Sequence, residues 1–185
     1  LFNALAETSV PCSNYPFCTV DANVGVVAVP DRRLEELGRM IEPEKLTPTT
    51  IRFVDIAGLV RGASRGEGLG NRFLASIREV DAVVEVVRCF ADVSVSHVDG
   101  DVDPKRDIET LGTELLLADL ETAQRNYEKR RKDRDRGDKA AGAAADALKK
   151  AVDALDAGTA LRDAALEPSE REALGEYSFI TAKDR

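Results

Sequence analysis

Residues 50–73 read T-I-R-F-V-D-I-A-G-L-V-R-G-A-S-R-G-E-G-L-G-N-R-F. The first six, Thr50–Asp55, mix β-branched and aromatic residues and predict a short strand. Glycines at 58, 62, 66, 68 and 70 then make a loop, and a helix is expected over roughly Leu69–Glu79. Next comes Ala82–Val87, A-V-V-E-V-V. A continuous β-branched run of this kind suits a strand buried in a parallel sheet, where both faces are covered. Strand, loop, helix and strand in that order form a βαβ unit. The fold class expected is α/β, a mostly parallel sheet flanked by helices.

Working outward toward the start, Asn23–Val29 reads as another strand, ended by Pro30-Asp31. Asp31 can cap a helix over Arg32–Ile41, in which Leu34, Leu37 and Ile41 share a face. Leu1–Ala6 looks like the end of a helix, followed by a polar stretch with two prolines. Toward the end, composition shifts near residue 107 to Ala, Leu and charged residues. Ile108, Leu111, Leu115, Ala118 and Thr122 step by three and four, the stripe of one long helix. Arg136-Gly137-Asp138 interrupts it. A second helix is expected over Lys139–Asp156, with Gly158 as its terminator, and a short one over Ser169–Leu174. Two long helices joined by a tight turn predict an antiparallel hairpin. Its charged outer faces are a solvated surface or a projecting arm for a large partner.

The 185 residues carry a formal charge of −8, which argues against a broad electrostatic grip on nucleic acid and against DNA binding. A local basic patch facing an RNA-containing partner remains compatible with it. No apolar run approaches the roughly 18 residues of a membrane span, and no leader segment is recognisable, so a cytoplasmic protein without a membrane partner is expected. Cys12, Cys18 and Cys89 match no zinc or redox spacing and read as reduced thiols.

The chemistry concentrates around Asp55-Ile56-Ala57-Gly58, a D-x-x-G pattern. A strand that closes on Asp delivers a carboxylate to the sheet edge, where it can hold Mg²⁺ through water. Gly58 lets a backbone N–H approach a γ-phosphate. A loop this rich in glycine is entropically expensive to order, as a switch that orders around phosphate would be. Thr19, between the first helix and the Asn23–Val29 strand, could offer its hydroxyl to the same ion. His97 is the only histidine, in the polar loop Ala91–Asp103, and could orient or deprotonate an attacking water. Arg61, Arg65 and Arg88 are candidate charge stabilisers or surface residues.

The runs N-Y-P-F-C-T-V-D-A-N-V-G-V-V at 14–27, F-V-D-I-A-G-L-V-R-G-A-S-R-G-E-G-L-G-N-R-F-L at 53–74, R-C-F at 88–90 and H-V-D-G-D-V-D-P at 97–104 closely resemble the YchF/Obg-like ATPase family. The resemblance implies a partial P-loop NTPase domain over 1–106 holding switch I and switch II, a helical hairpin inserted over 107–165, and a return to the NTPase domain over 166–185. It places the phosphate-binding loop just before Leu1, and the base-reading N-x-x-E segment and a TGS domain after Arg185. It further implies ATP or GTP as substrate, Mg²⁺ as cofactor and the ribosome as partner. Thr19 and Asp55 would be metal ligands, Thr19, Asp55, Gly58 and Leu59 would line the nucleotide, and His97 would be the catalytic candidate. Leu59 stands where many GTPases carry a water-orienting Gln, and leucine cannot hydrogen-bond water.

Three functions follow as expectations. The first is a Mg²⁺-dependent, ribosome-associated ATPase, also using GTP, acting in translation or stress regulation. The others are an Obg/DRG-type GTPase and a nucleotide-independent docking module. These 185 residues contain no G-x-x-x-x-G-K-[ST] run, so by themselves they are expected to bind nucleotide weakly.

Overall fold

The computed structural model describes residues 1–6, 23–56, 69–92, 95, 97 and 100–185. The chain divides into two compact units, Leu1–Ala57 and Gly58–Arg185.

In the first unit, β1 (Asn23–Ala28) and β2 (Thr50–Asp55) pair antiparallel, from Asn23 opposite Asp55 to Ala28 opposite Thr50. The Val29 N–H continues the ladder to the Thr49 carbonyl at 2.8 Å. Helix α1 (Phe2–Ala6) packs on these strands, and Gly25 permits it. A Cβ at Gly25 would lie 2.5 Å from the Ala6 Cβ and 3.2 Å from the Phe2 ring. A side chain at 25 would therefore push the helix off the strand. Helix α2 (Arg32–Ile41) begins where the Asp31 carboxylate accepts the Arg33 N–H, at 2.9 Å, as its sequence predicts. Glu42 ends it in the left-handed region, φ 45°, donating to the Gly38 carbonyl.

In the second unit, α3 (Leu69–Arg78) precedes α4 (Pro104–Asp135) and α5 (Lys139–Asp156), which form the expected hairpin. Asp103 caps α4, with Pro104 in the first turn, where its missing N–H is no loss. Gly158, φ +77°, follows α5 as its sequence predicts. α6 (Pro168–Leu174) and two 3-10 turns, Gly175–Tyr177 and Ile180–Ala182, fold back over the hairpin. Ala123, Ala147, Leu148, Ala151, Leu155, Leu161, Leu174 and Phe179 make the core. Alanines on the facing surfaces of α4 and α5 let the backbones approach closely. In α4 the buried positions are Glu114, Leu115, Ala118, Asp119 and Ala123, whereas Ile108, expected in the stripe, is 45% exposed.

The parallel sheet expected is not seen among the described residues. The strands among the described residues form a two-stranded antiparallel sheet, not a mostly parallel one. Among the described residues, the ladder contact of residues 82–87 is a parallel bridge from Ala82 to Asp184, with the Val83 N–H on the Asp184 carbonyl at 3.0 Å. Val84 and Val86 are about three-quarters exposed. A β-branched run becomes a strand only when neighbours supply hydrogen-bond partners along its length. Here Val83 and Glu85 turn inward, and the Glu85 carboxylate pairs with the Arg185 guanidinium.

Candidate functional site

Asp55 is the last residue of β2, half-buried, and faces Asn23 across the ladder. β2 ends on it, with Ile56 already outside the strand. Its carboxylate makes no hydrogen bond to any described residue, while the buried Nδ2 of Asn23, its ladder partner, is also unsatisfied among them. Among the described residues, both polar groups leave hydrogen-bonding capacity unmet at this end of the strand pair. A carboxylate with open acceptor positions is a hard oxygen donor of the kind Mg²⁺ takes, one or two at a time, with water and phosphate completing its shell. Asp55 thus fits the ion. Thr19, Gly58 and Leu59, with Arg61 and Arg65, lie outside the described residues.

In the second unit, His97 lies seven residues before Pro104, the first residue of α4. Its Nε2 is 3.0 Å from Oδ2 of Asp107, in the first turn of that helix. Both side chains are largely covered, 16% and 22% exposed. Arg106 holds the other oxygen of Asp107 at 3.4 Å and donates to the Asp101 carbonyl. The His97 carbonyl accepts the Gly100 N–H at 3.2 Å, and Gly100 takes φ +82° to close that turn. The imidazole is therefore anchored by a carboxylate, which fixes the ring's orientation.

Arg88 is not available as a phosphate ligand in this arrangement. Its guanidinium donates to the carbonyls of Phe90, Val95 and Asp92 at 3.0, 2.8 and 2.8 Å and lies over the Phe90 ring. It staples the loop after 87 instead.

Sequence reasoning passed over the most buried charge described. Asp119, fully buried on α4, accepts the backbone N–H groups of Ile180 and Thr181 at 3.1 and 2.7 Å. Arg78, at the end of α3, reaches it at 3.5 Å and also donates to Thr122 Oγ1, the Ala118 carbonyl and the Ser178 carbonyl. Lys183 returns the tie by donating to the carbonyls of Arg78 and Val80. Burial pushes the Asp119 carboxyl above its ordinary value, opposed by the two N–H groups and by Arg78. The available signal was an Asp at core-facing spacing within L-L-L-A-D-L. This cluster joins three elements and is a structural junction.

A strand ending in an open carboxylate, a glycine-rich run, a helix and a helical hairpin are the parts of a nucleotide-switch protein. The chain belongs to the 50S ribosome-binding GTPase family, whose model matches residues 1–122. Among characterised proteins it is similar to the ribosome-binding ATPase YchF of Haemophilus ducreyi, 49% identical over 183 residues, which are 99% of this chain and 50% of that protein. The YchF of Bacillus subtilis is 43% identical over the same share of each. The structure of the Schizosaccharomyces pombe YchF GTPase superposes with a TM-score of 0.75 at 36% identity, covering 98% of this chain and 50% of that one. The chain thus spans about half the length of the relatives it matches. The YchF resemblance read from the motifs holds, and with it an α/β NTPase fold.

Proposed function

We propose that this chain supplies the switch elements and helical arm of a ribosome-associated nucleoside triphosphatase of the YchF type. It hydrolyses ATP, and also GTP, with Mg²⁺, in the cytoplasm, in translation or stress regulation. The single observation that carries this reading is the open, half-buried Asp55 carboxylate at the end of β2, followed directly by I-A-G. Residues 1–106 and 166–185 are read as parts of the NTPase domain and 107–165 as its inserted hairpin.

Asp55 and the Thr19 hydroxyl would hold the metal, and the Gly58 amide would meet the γ-phosphate. Bound Mg²⁺ supplies charge neutralisation on the β- and γ-phosphates. Leu59 lines the site but can neither orient nor activate water. That task falls to another group, and His97 is the candidate, its ring aimed by Asp107. Such a base needs the reacting water within one hydrogen bond of the imidazole.

Preference for GTP is the alternative, since the family description and the S. pombe relative both say GTPase while the bacterial relatives are called ATPases. The test is phosphate release by the full-length protein with ATP or GTP, with and without Mg²⁺, for wild type and Asp55→Asn. Mg²⁺-dependent turnover that falls about 100-fold or more in the variant is expected. Unchanged turnover in Asp55→Asn would remove the carboxylate from the site.

A further inference from the structure

Three contacts bear on His97 and the start of α4. The His97 carbonyl accepts the Gly100 N–H at 3.2 Å, with Gly100 in the left-handed region at φ +82°. Oδ1 of Asp103 accepts the Arg106 N–H at 3.1 Å and sets where the helix begins. The third contact is made by the ring, whose Nε2 lies 3.0 Å from Oδ2 of Asp107. Asp107 stands in the first turn of α4, so its carboxylate is carried by regular structure and not by a loop.

The two oxygens of Asp107 are divided between two partners. Oδ1 receives Arg106, whose Nε and Nη2 both lie 3.4 Å away. The same Nη2 donates to the Asp101 carbonyl, which holds the guanidinium in place. Oδ2 is turned to the imidazole. An ionised carboxylate accepts hydrogen bonds and donates none. The Nε2 that meets it therefore carries a hydrogen, and in the neutral ring the accepting nitrogen is Nδ1.

We propose that Asp107 is a positioning residue for hydrolysis: it holds His97 as the Nε2–H tautomer, so that the attacking water is met at Nδ1. The proposal rests on the reading of His97 as the group that handles this water. It adds which nitrogen does so and which residue decides it. A ring carrying its hydrogen on the other nitrogen presents a donor where an acceptor is needed. Nucleotide binding asks nothing of that hydrogen, so loss of Asp107 falls on kcat and leaves KM.

The test uses the full-length protein with ¹⁵N-labelled histidine rings, His97 being assigned from the signals missing in His97→Gln. In alkaline buffer the wild type should show a neutral His97 ring with its hydrogen on Nε2. Asp107→Asn should lower kcat for ATP about tenfold with KM changed less than about twofold, and its ring should become a mixture of tautomers. Asp107→Glu keeps a carboxylate and should recover most of the lost rate together with the Nε2–H signal. A wild-type ring with its hydrogen on Nδ1 would overturn the proposal without recourse to any Asp107 variant. So would an Asp107→Asn protein with wild-type kcat, or one whose kcat falls only as its folded fraction falls. His97→Gln separates this outcome from the reading beneath it. If that variant hydrolyses ATP like wild type, the histidine has no role in turnover and the proposal falls with it. If it loses turnover while Asp107→Asn keeps the wild-type rate, His97 stands and only the positioning by Asp107 is lost.

Discussion

At the scale of single residues, two carboxylates of one chain have opposite fates. Asp55 lies at a strand end with open acceptor positions, whereas Asp119 is closed in by two N–H groups and Arg78. Removing the Arg78 guanidinium leaves a buried charge without its cation, so Arg78→Ala should destabilise the fold by roughly 3–5 kcal/mol at neutral pH. Because burial raises the folded-state value of Asp119 above the ordinary 3.8, its own linkage contribution is greatest below 3.8 and is lost as pH rises through the folded value. The penalty of Arg78→Ala should accordingly shrink in acid, where the carboxyl is neutral. Urea unfolding of both proteins at several pH values checks this, and a penalty that grows toward acid would contradict it. His97 invites a kinetic comparison. His97→Ala in the full-length protein should lower kcat about 100-fold with nucleotide affinity little changed, and Asp107→Asn should fall between it and wild type. Asp119 was hard to see in the sequence because helical periodicity counts apolar positions, and a charge that belongs to the core breaks the count.

At the scale of elements, what was legible depended on how local the cause is. Asp31 and Gly158 mark the start of α2 and the end of α5 through hydrogen bonds and backbone angles within a few residues, so the sequence places those ends well. The α4–α5 turn at Arg136-Gly137-Asp138 is local too, with Gly137 at φ +99°. Residues 82–87 were misread because being a strand depends on partners far away in sequence, and the one seen is Asp184. The candidate site was legible at Asp55 through D-x-x-G. The Asp107 partner of His97 was not, since ten residues and a helix start separate them. Within the hairpin, Leu148 is fully buried among alanines. Leu148→Ala should cost about 2–5 kcal/mol, read as a lower denaturant midpoint with helix content retained at low denaturant. A loss below 1 kcal/mol would mean that α4 can close the gap.

At the scale of the whole molecule, the 185 residues hold an Asp, a switch-like glycine run and an arm, but no lysine-bearing phosphate loop. Tested as they stand, they should bind ATP and GTP with affinity weaker than about millimolar, since the cradle of amides and its lysine supply most phosphate affinity. Micromolar binding in a calorimetric titration would refute this. A second consequence comes from the bridge between Ala82 and Asp184. The chain leaves this point and returns to it a hundred residues later, so entrance and exit of the arm share one doorway. Whole turns can be added to or removed from α4 and α5 in matched pairs, and the doorway need not notice. Equally, a push on the remote tip is carried to the threshold where Arg78 and Lys183 tie the end of α3 to α4 and to the returning chain.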